Sequence, residues 1–277
     1  MSRIPRVASI NDMSGFGRCS LTVAMPILSV LGVQCCPIPT AILSCHTGFE
    51  SYYFEDLTKI LTSYISNWNE QGIEFDAIYS GFLGSFDQIK ITEEFIKTAK
   101  NSPFCVVDTV MGDGGMIYST YTAKMCEEMK KLVSIADVIT PNVTEACFLT
   151  DTPYSGEGIE ISKATEVAKK LCQMGTKSVV ITGISGNNSL TNLVYENSTV
   201  TQISSEKSTT SFAGTGDIFA SIVTGLMCKG KSLTNATEVA AKFIFETIQA
   251  TISQKTPVID GVAFEPFLYK LGGDFYD

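Results

Sequence analysis

"SFAGTGDIFASIVTG", Ser211 to Gly225, decides how the chain is read. Two glycines bracket a threonine, an aspartate follows, and the chain then turns apolar. That order predicts a tight turn opening a helix. A helix start presents unpaired N–H groups that favour an anion. A carboxylate there has two readings. Asp217 is either a first-turn residue favoured by the helix dipole, or a catalytic base held beside a bound anion. The stretch alone leaves both open.

Upstream, short runs rich in β-branched residues alternate with helical patterns. Strands are predicted at Arg6–Asn11, Phe75–Gly81, Pro103–Asp108, Ala136–Thr140 and Lys177–Gly183. Helices are predicted at about Ser20–Leu31, Gln88–Lys100, Thr122–Val133, from Thr144 onward, and at Ser162–Gly175. This alternation predicts an α/β fold: a mostly parallel sheet with helices on both faces. "NSLTNLVYENSTVTQISSE", Asn188 to Glu206, breaks the pattern and predicts a β-hairpin turning at Glu196-Asn197. Two helices follow the opening stretch, Asp217–Cys228 and about Asn235–Ile252. Val239, Ala240, Phe243, Ile244 and Ile248 mark one face of the second. No linker, repeat or low-complexity tract divides the chain, so a single domain over residues 1–277 is expected.

The bulk properties bound the function. The chain has 277 residues, 44% hydrophobic and 18% charged, with a net charge of −9. That surface argues against nucleic-acid and anionic-membrane partners, but not against a small anionic ligand held by local donors. None of the nine cysteines forms a C-x-x-C pair, which suits buried thiols in a reducing, cytoplasmic compartment. The start carries no signal-peptide pattern. Cys19 to Phe49 holds no Asp, Glu, Lys or Arg, but three prolines interrupt it, so it is read as a buried helix and strand, not a membrane span.

Ligands of open parallel sheets bind beyond the carboxyl ends of the strands. There the sequence places Asp12, Gly15 and Gly17 after the first predicted strand, and Asp108 and Asp113 after the third. Asn142 and Glu145 follow the fourth, and Thr182 and Gly183 end the fifth. Glycines, small donors and carboxylates are what a metal–phosphate site needs. Each has a plainer reading as a cap or turn residue. The only histidine, His46, reads equally as a hydrogen-bonded loop residue. "GGMIYSTY", Gly114 to Tyr121, reads as a flap over phosphates or as a surface loop. The ordered set carries the functional reading, not any one member.

"VVDTVMGD", "ITPNVTEACFLT", "VVITG" and "FAGTGDIFAS", in that order and spacing, resemble the ribokinase superfamily. "SCHTGF" (Ser44 to Phe49) and "YSGFLGS" (Tyr79 to Ser85) resemble its vitamin B6 branch, the pyridoxal and pyridoxamine kinases. The resemblance spans Arg6 to about Thr251. It implies a ribokinase-like fold, with the hairpin near the nucleotide site, and ATP-dependent phosphorylation of a hydroxymethylpyridine. It implies that Asp217 is the base and that Gly214, Thr215 and Gly216 form an anion hole. Asp113, Asn142 and Glu145 would organise Mg²⁺ and the phosphates, with Thr182 and Gly183 at the nucleotide. Asp108 and Thr140 would lie by the metal or by a monovalent K⁺ or Na⁺. Asp12, Thr47 and Phe82 would surround the ring. Homodimerisation is implied as well.

This chain departs from that branch at three places. Asp12 stands where many members carry serine, Phe82 where many carry tyrosine, and Asp108-Thr109-Val110 where many carry D-P-V. "NDMSGFG" also resembles the hydroxymethylpyrimidine kinases, which usually end G-T-G-C rather than Gly216-Asp217. The alternatives are therefore a hydroxymethylpyrimidine kinase and a non-catalytic B6-binding protein. A carboxylate in the field of a helix N-terminus is expected to have a lowered pKa.

Overall fold

The computed structural model describes residues 3–272. In chain order the elements are β1 (Arg6–Ser14), α1 (Ser20–Val30), β2 (Gln34–Leu43), β3 (Phe54–Asp56), α2 (Thr58–Glu70), β4 (Ala77–Ser80), α3 (Phe86–Thr98) and β5 (Phe104–Val107). Then come β6 (Gly112–Asp113), β7 (Met116–Ile117), α4 (Ala123–Ser134), β8 (Val138–Ile139), α5 (Val143–Leu149), α6 (Ile161–Gln173), β9 (Ser178–Ser185), β10 (Ser189–Glu196) and β11 (Thr199–Glu206). Two long helices, α7 (Thr215–Cys228) and α8 (Leu233–Ser253), precede two short 3₁₀ turns.

Nine strands form one sheet in the order β11-β10-β9-β8-β5-β4-β1-β2-β3. The pairs from β2 through β1, β4, β5 and β8 to β9 are parallel, and both margins are antiparallel. Successive side chains of a strand face opposite sides, and both sides here are apolar. Ala8, Ile78, Val107, Ile139 and Ile181 pack into one core with α2 to α6. Val7, Tyr79, Val106, Val138 and Val180 pack into a second core with α1, α7 and α8. Helices therefore cover both faces, as the alternation predicts.

The differences from the sequence expectation have local causes. β1 runs on to Ser14, three residues past the expected end, because Met13 and Ser14 keep pairing with Ile42 and Leu43. β3 and α2 carry too weak a pattern to be foreseen: β3 is three exposed residues, and α2 buries only Leu61 and Ile65. β2 holds Pro37 and Pro39, tolerated because β3 pairs only with Ala41–Leu43 and leaves the rest of β2 as an edge. The Asn188–Glu206 hairpin forms as expected and extends the sheet as β10 and β11. Its turn residues Asn197 and Ser198 both have positive φ, which matches the twist of a tight hairpin. A separate two-stranded hairpin, β6–β7, turns on Gly114 and Gly115. Among the described residues no helix is long and apolar enough to cross a membrane.

Candidate active site

The carboxyl ends of β1, β4, β5, β8 and β9 and the start of α7 surround a cleft of about 480 Å³. The first turn of α7 supplies backbone donors. Gly214, its N-cap, has φ 79°, and no side chain caps the helix. The N–H groups of Thr215, Gly216 and Asp217 precede the first intrahelical bond, which Ile218 donates to the Gly214 carbonyl. Only glycine fits at 214. The left-handed φ disfavours a side chain, and a Cβ would stand 1.9 Å from the Arg18 carbonyl oxygen.

Asp217 sits on that first turn, half-buried. One of its oxygens, Oδ1, accepts from Asn11 Nδ2 at 3.1 Å. The Ser20 backbone N–H also donates to the carboxylate. Burial pushes its pKa up to about 6, the two hydrogen bonds oppose the rise, and nearby Asp12 adds to it. This corrects the expectation of a lowered value. Desolvation outweighs the donors that should have stabilised its charge.

Asp12 stands at an irregularity in β1, where it alone faces two residues of β2, Thr40 and Ala41. Its Oδ2 accepts from the Ser14 hydroxyl at 2.7 Å and its Oδ1 from the Ser20 hydroxyl at 2.5 Å. Burial raises its pKa, and the two serines oppose this. Ser20 has φ 54°, an uncommon conformation for serine, and this lets its hydroxyl reach Asp12 while its N–H reaches Asp217. Thr47 and half-buried Phe82 share this end of the cleft. His46 accepts from the Gly48 N–H through Nδ1, so its Nε2 carries the proton donated to the Ile259 carbonyl. Both ring nitrogens are engaged, as a loop residue requires.

The other end is rich in carboxylates. Asp108 is buried and accepts from the Thr140 hydroxyl at 3.1 Å. Burial, then Glu145, then Asp217 hold its pKa well above the usual range. Asn142 and Glu145 form a capping box at the start of α5. Glu145 Oε2 also accepts from the Thr109 hydroxyl and Oε1 from the Met111 N–H, and Asn142 Nδ2 donates to the Gly112 carbonyl. The pair therefore holds the 109–112 loop that leads to Asp113. Burial raises the Glu145 pKa despite these donors. Asp113 is exposed on the β6–β7 hairpin. Thr182 bridges to Asn142 along β9, and Gly183, at φ 74°, donates its N–H to Asn192.

All fourteen residues expected at the site line this one cleft. Sequence reasoning missed Asn11, Ser14, Ser20 and Glu157, while Tyr118 and Thr120 of the Gly114–Tyr121 stretch line the cleft. A signal existed for Asn11: it shares the inward face of Val7 along β1, where a polar residue needs a partner. None existed for Ser20, whose role depends on its backbone angle.

Among the described residues six carboxylates line the cleft (Asp12, Asp108, Asp113, Glu145, Glu157 and Asp217) and no lysine or arginine does. A polyphosphate brought against such a wall would be repelled unless cations intervened. The crowded, raised carboxylates fit a cation. Among the described residues no group of three or more His, Cys, Asp or Glu could cage a metal alone. Glu145 already spends both oxygens on protein donors. The fit is to a hard divalent ion that keeps waters and takes phosphate ligands.

The comparisons with known proteins agree with this geometry. The chain is 31% identical over 185 residues to the hydroxymethylpyrimidine/phosphomethylpyrimidine kinase of Bacillus subtilis, covering 64% of this chain and 65% of that one. It is 30% identical over 184 residues to the pyridoxine kinase of the same organism, with the same coverage. It is 26% identical to the thiamine biosynthetic bifunctional enzyme TH1 of Arabidopsis thaliana, over 87% of this chain but only 46% of that longer one. A crystal structure of a provisionally assigned phosphomethylpyrimidine kinase from Bacteroides thetaiotaomicron superposes with a TM-score of 0.95 at 35% identity, covering 100% of this chain and 96% of that one. Another crystal form from that organism, with pyridoxal, gives 0.94 over 99% and 98%. Pyridoxal kinase from Lactobacillus plantarum gives 0.89 at 26% identity over 98% and 97%. The fold is ribokinase-like. The sequence profile of the phosphomethylpyrimidine kinase family matches residues 27–259, and the chain belongs to that family, which the comparisons join to the pyridoxal kinases.

Proposed function

We propose that the chain transfers the γ-phosphoryl group of ATP to the 5′-hydroxymethyl group of a B6 vitamer: pyridoxal, pyridoxine or pyridoxamine. The observation that carries this is the position of Asp217. Its Oδ1 is held by Asn11, whose own oxygen is bonded to the Phe82 and Asp12 backbone. Gly216, one residue before it, lies against Asp108. Asp217 thus stands where the Asp12–Phe82 wall meets the carboxylate-rich end. An alcohol lying on that wall would present its proton to Asp217 and its oxygen to a phosphoryl group at the helix start.

On this reading Asp217 accepts the alcohol proton. Its pKa near 6 leaves it mostly ionised at neutral pH, yet more basic than an ordinary aspartate. The N–H groups of Thr215, Gly216 and Asp217 face the charge developing on the transferred group. Asp12, Thr47 and Phe82 hold the ring, and Thr182 and Gly183 lie along the nucleotide. Asp113, Asn142 and Glu145 orient the phosphates and the waters of Mg²⁺, and Asp108 with Thr140 lies nearest a monovalent cation. Bound Mg²⁺ would neutralise phosphate charge as a Lewis acid. We extend the proposal to a single catalytic domain working in the cytoplasm as a homodimer.

Support for a pyridine ring comes from the relative crystallised with pyridoxal. A second reading, a hydroxymethylpyrimidine kinase, is favoured by the family profile. One experiment separates them. Pyridoxal, pyridoxine, pyridoxamine, hydroxymethylpyrimidine and ribose are each assayed for ADP release, with the product's mass measured. The proposal expects the highest kcat/KM with a B6 vitamer. A higher kcat/KM with hydroxymethylpyrimidine would reverse the assignment, and binding without ADP release would leave a carrier.

A further inference from the structure

Asn11 is fully buried, a polar side chain in the middle of the sheet's carboxyl edge. Its oxygen and one N–H of its nitrogen are engaged by residues that border the cleft. Its Oδ1 accepts from the Phe82 N–H at 2.8 Å and from the Asp12 N–H at 3.0 Å. Its Nδ2 donates to Asp217 Oδ1 at 3.1 Å. The two backbone donors fix which end of the amide is oxygen, because a flipped amide would point N–H groups at N–H groups. The nitrogen therefore has to face Asp217.

Gly81 closes the arrangement from the other side. It follows β4 and precedes Phe82. A Cβ on Gly81 would stand 2.3 Å from Asn11 Nδ2 and 2.7 Å from its Cγ. Its φ is not in the left-handed region, so conformational freedom does not explain the glycine. Close approach to the amide does.

We propose that Asn11 is a positioning residue: with the Ser20 N–H, it locks the Asp217 carboxylate in register with the Phe82–Asp12 wall, aimed at the substrate alcohol. This rests on the reading of Asp217 as the base. A single amide thereby ties three elements, β1, the end of β4 and α7, at the point where ring and phosphoryl acceptor must be aligned. Misplacement of reacting groups by about 1 Å can cost roughly a hundredfold in rate, so removing the lock should act on kcat more than on substrate binding.

Two perturbations test it from opposite sides. Asn11→Asp keeps an oxygen for the Phe82 and Asp12 N–H groups and replaces the donor to Asp217 with a second carboxyl oxygen, which must repel that carboxylate or share a proton with it. Gly81→Ala keeps the amide and pushes it. Each is compared with wild type for kcat, for KM of the ring substrate and of ATP, and for thermal midpoint. Gly81→Ala is repeated on an Asn11→Ser background, where the alanine has room. We expect kcat to fall at least about tenfold in Asn11→Asp and in Gly81→Ala, with KM for ATP within about twofold. We expect Gly81→Ala to cost nothing further on the Asn11→Ser background. If Asn11→Asp does not fold, the Gly81 comparison decides alone.

A lowered thermal midpoint with kcat unchanged would make Asn11 a fold residue and overturn the proposal. Equal Gly81→Ala losses on both backgrounds would overturn it too. Asp217→Asn, run alongside, separates the two levels. Full turnover there removes the base assignment and this proposal together. Lost turnover there with unchanged kcat in the Asn11 and Gly81 variants removes this proposal only.

Discussion

The carbonyl oxygen of Arg18 occupies the space that a side chain on Gly214 would need, 1.9 Å from where the Cβ would lie. The start of α7 is thereby pressed against the loop between β1 and α1. Gly214→Ala must move one of them and also hold alanine at φ 79°. The strain should destabilise the fold by roughly 1–3 kcal/mol, and the displaced N–H groups should lower kcat by about 10²-fold, the scale of one lost oxyanion donor. Gly230 has the same left-handed φ with nothing within 4 Å of its would-be Cβ. Gly230→Ala should cost only about 1–2 kcal/mol and leave turnover unchanged. Melting curves and kcat for the pair check this; similar turnover in the two variants would show that the approach to Arg18 does not matter for catalysis.

Asp217→Asn should fold and lose kcat by roughly 10²–10⁴-fold, the range for a general base. The asparagine can still accept from Asn11 through its oxygen, so the local network survives. In wild type the base must be ionised to act. With its pKa pushed up to about 6, kcat/KM should fall as pH drops through about 6. Near-normal turnover in the variant would leave Asp217 as a first-turn residue only.

The same burial has a thermodynamic consequence. Asp12, Asp108, Glu145 and Asp217 all have pKa values raised on folding. A carboxylate raised in the folded state binds its proton more tightly there than in the unfolded chain. Stability then declines as pH rises from the ordinary carboxylate value, near 4, through the folded value, about 6 for Asp217. The ligand-free protein should melt at a higher temperature at pH 5 than at pH 7, and Asp217→Asn should flatten that slope. Equal slopes in the two proteins would mean that Asp217 is not desolvated.

Glu145→Gln tests the capping box and the metal at once. Its Oε1 accepts from Met111 and its Oε2 from Asn142 and Thr109. An amide nitrogen in either place faces a donor, so one buried N–H or hydroxyl loses its acceptor, at a cost of about 1–3 kcal/mol. The loop leading to Asp113 should loosen, and the Mg²⁺ concentration for half-maximal rate should rise several-fold, as should that of Asn142→Ala. KM for the ring substrate should not change. A Mg²⁺ titration that superimposes on wild type would remove both residues from the metal assignment.

The strands and helices that position the site were legible because each carries its own pattern. β5 and the Val179–Ile181 stretch of β9 are continuous apolar runs, and α6 and α8 have clear apolar faces. The cleft residues were legible as a set because strand ends and glycine turns mark them locally. What was not legible depends on tertiary contact. Asn11 stands out as a polar residue in a buried strand, but the partner it works through, Asp217, is 206 positions away. Ser20 works through a backbone angle that serine rarely adopts. The Asp217 pKa was read with the wrong sign because the helix N-terminus is visible in sequence, whereas the burial that dominates exists only in the folded chain.

Asp12 is where this chain departs from the serine of many B6 kinases, and its geometry sharpens what the carboxylate can select. Both oxygens already accept from serine hydroxyls, Ser14 on one and Ser20 on the other. Neither hydroxyl can then donate elsewhere, so this corner of the cleft presents acceptors only. A ring placed there must bring a donor: a protonated pyridine nitrogen, a phenolic hydroxyl or an amino group, and a charge-assisted bond is the strongest of these. Asp12→Ser exchanges the acceptor for a group that can also donate and frees the two serines. It should lower stability by about 1–3 kcal/mol through the lost bonds. It should also change the ratio of kcat/KM for pyridoxamine over pyridoxal by about threefold or more, about 0.65 kcal/mol at RT ≈ 0.59 kcal/mol, with pyridoxamine the greater loser and the gap closing at low pH, where Asp12, its pKa raised by burial, takes up a proton and no longer offers a charged acceptor. The measurement is kcat/KM for both vitamers at several pH values, beside a melting curve. A lower melting temperature with the vitamer ratio unchanged at every pH would show that Asp12 tethers the start of α1 and takes no part in choosing the ring.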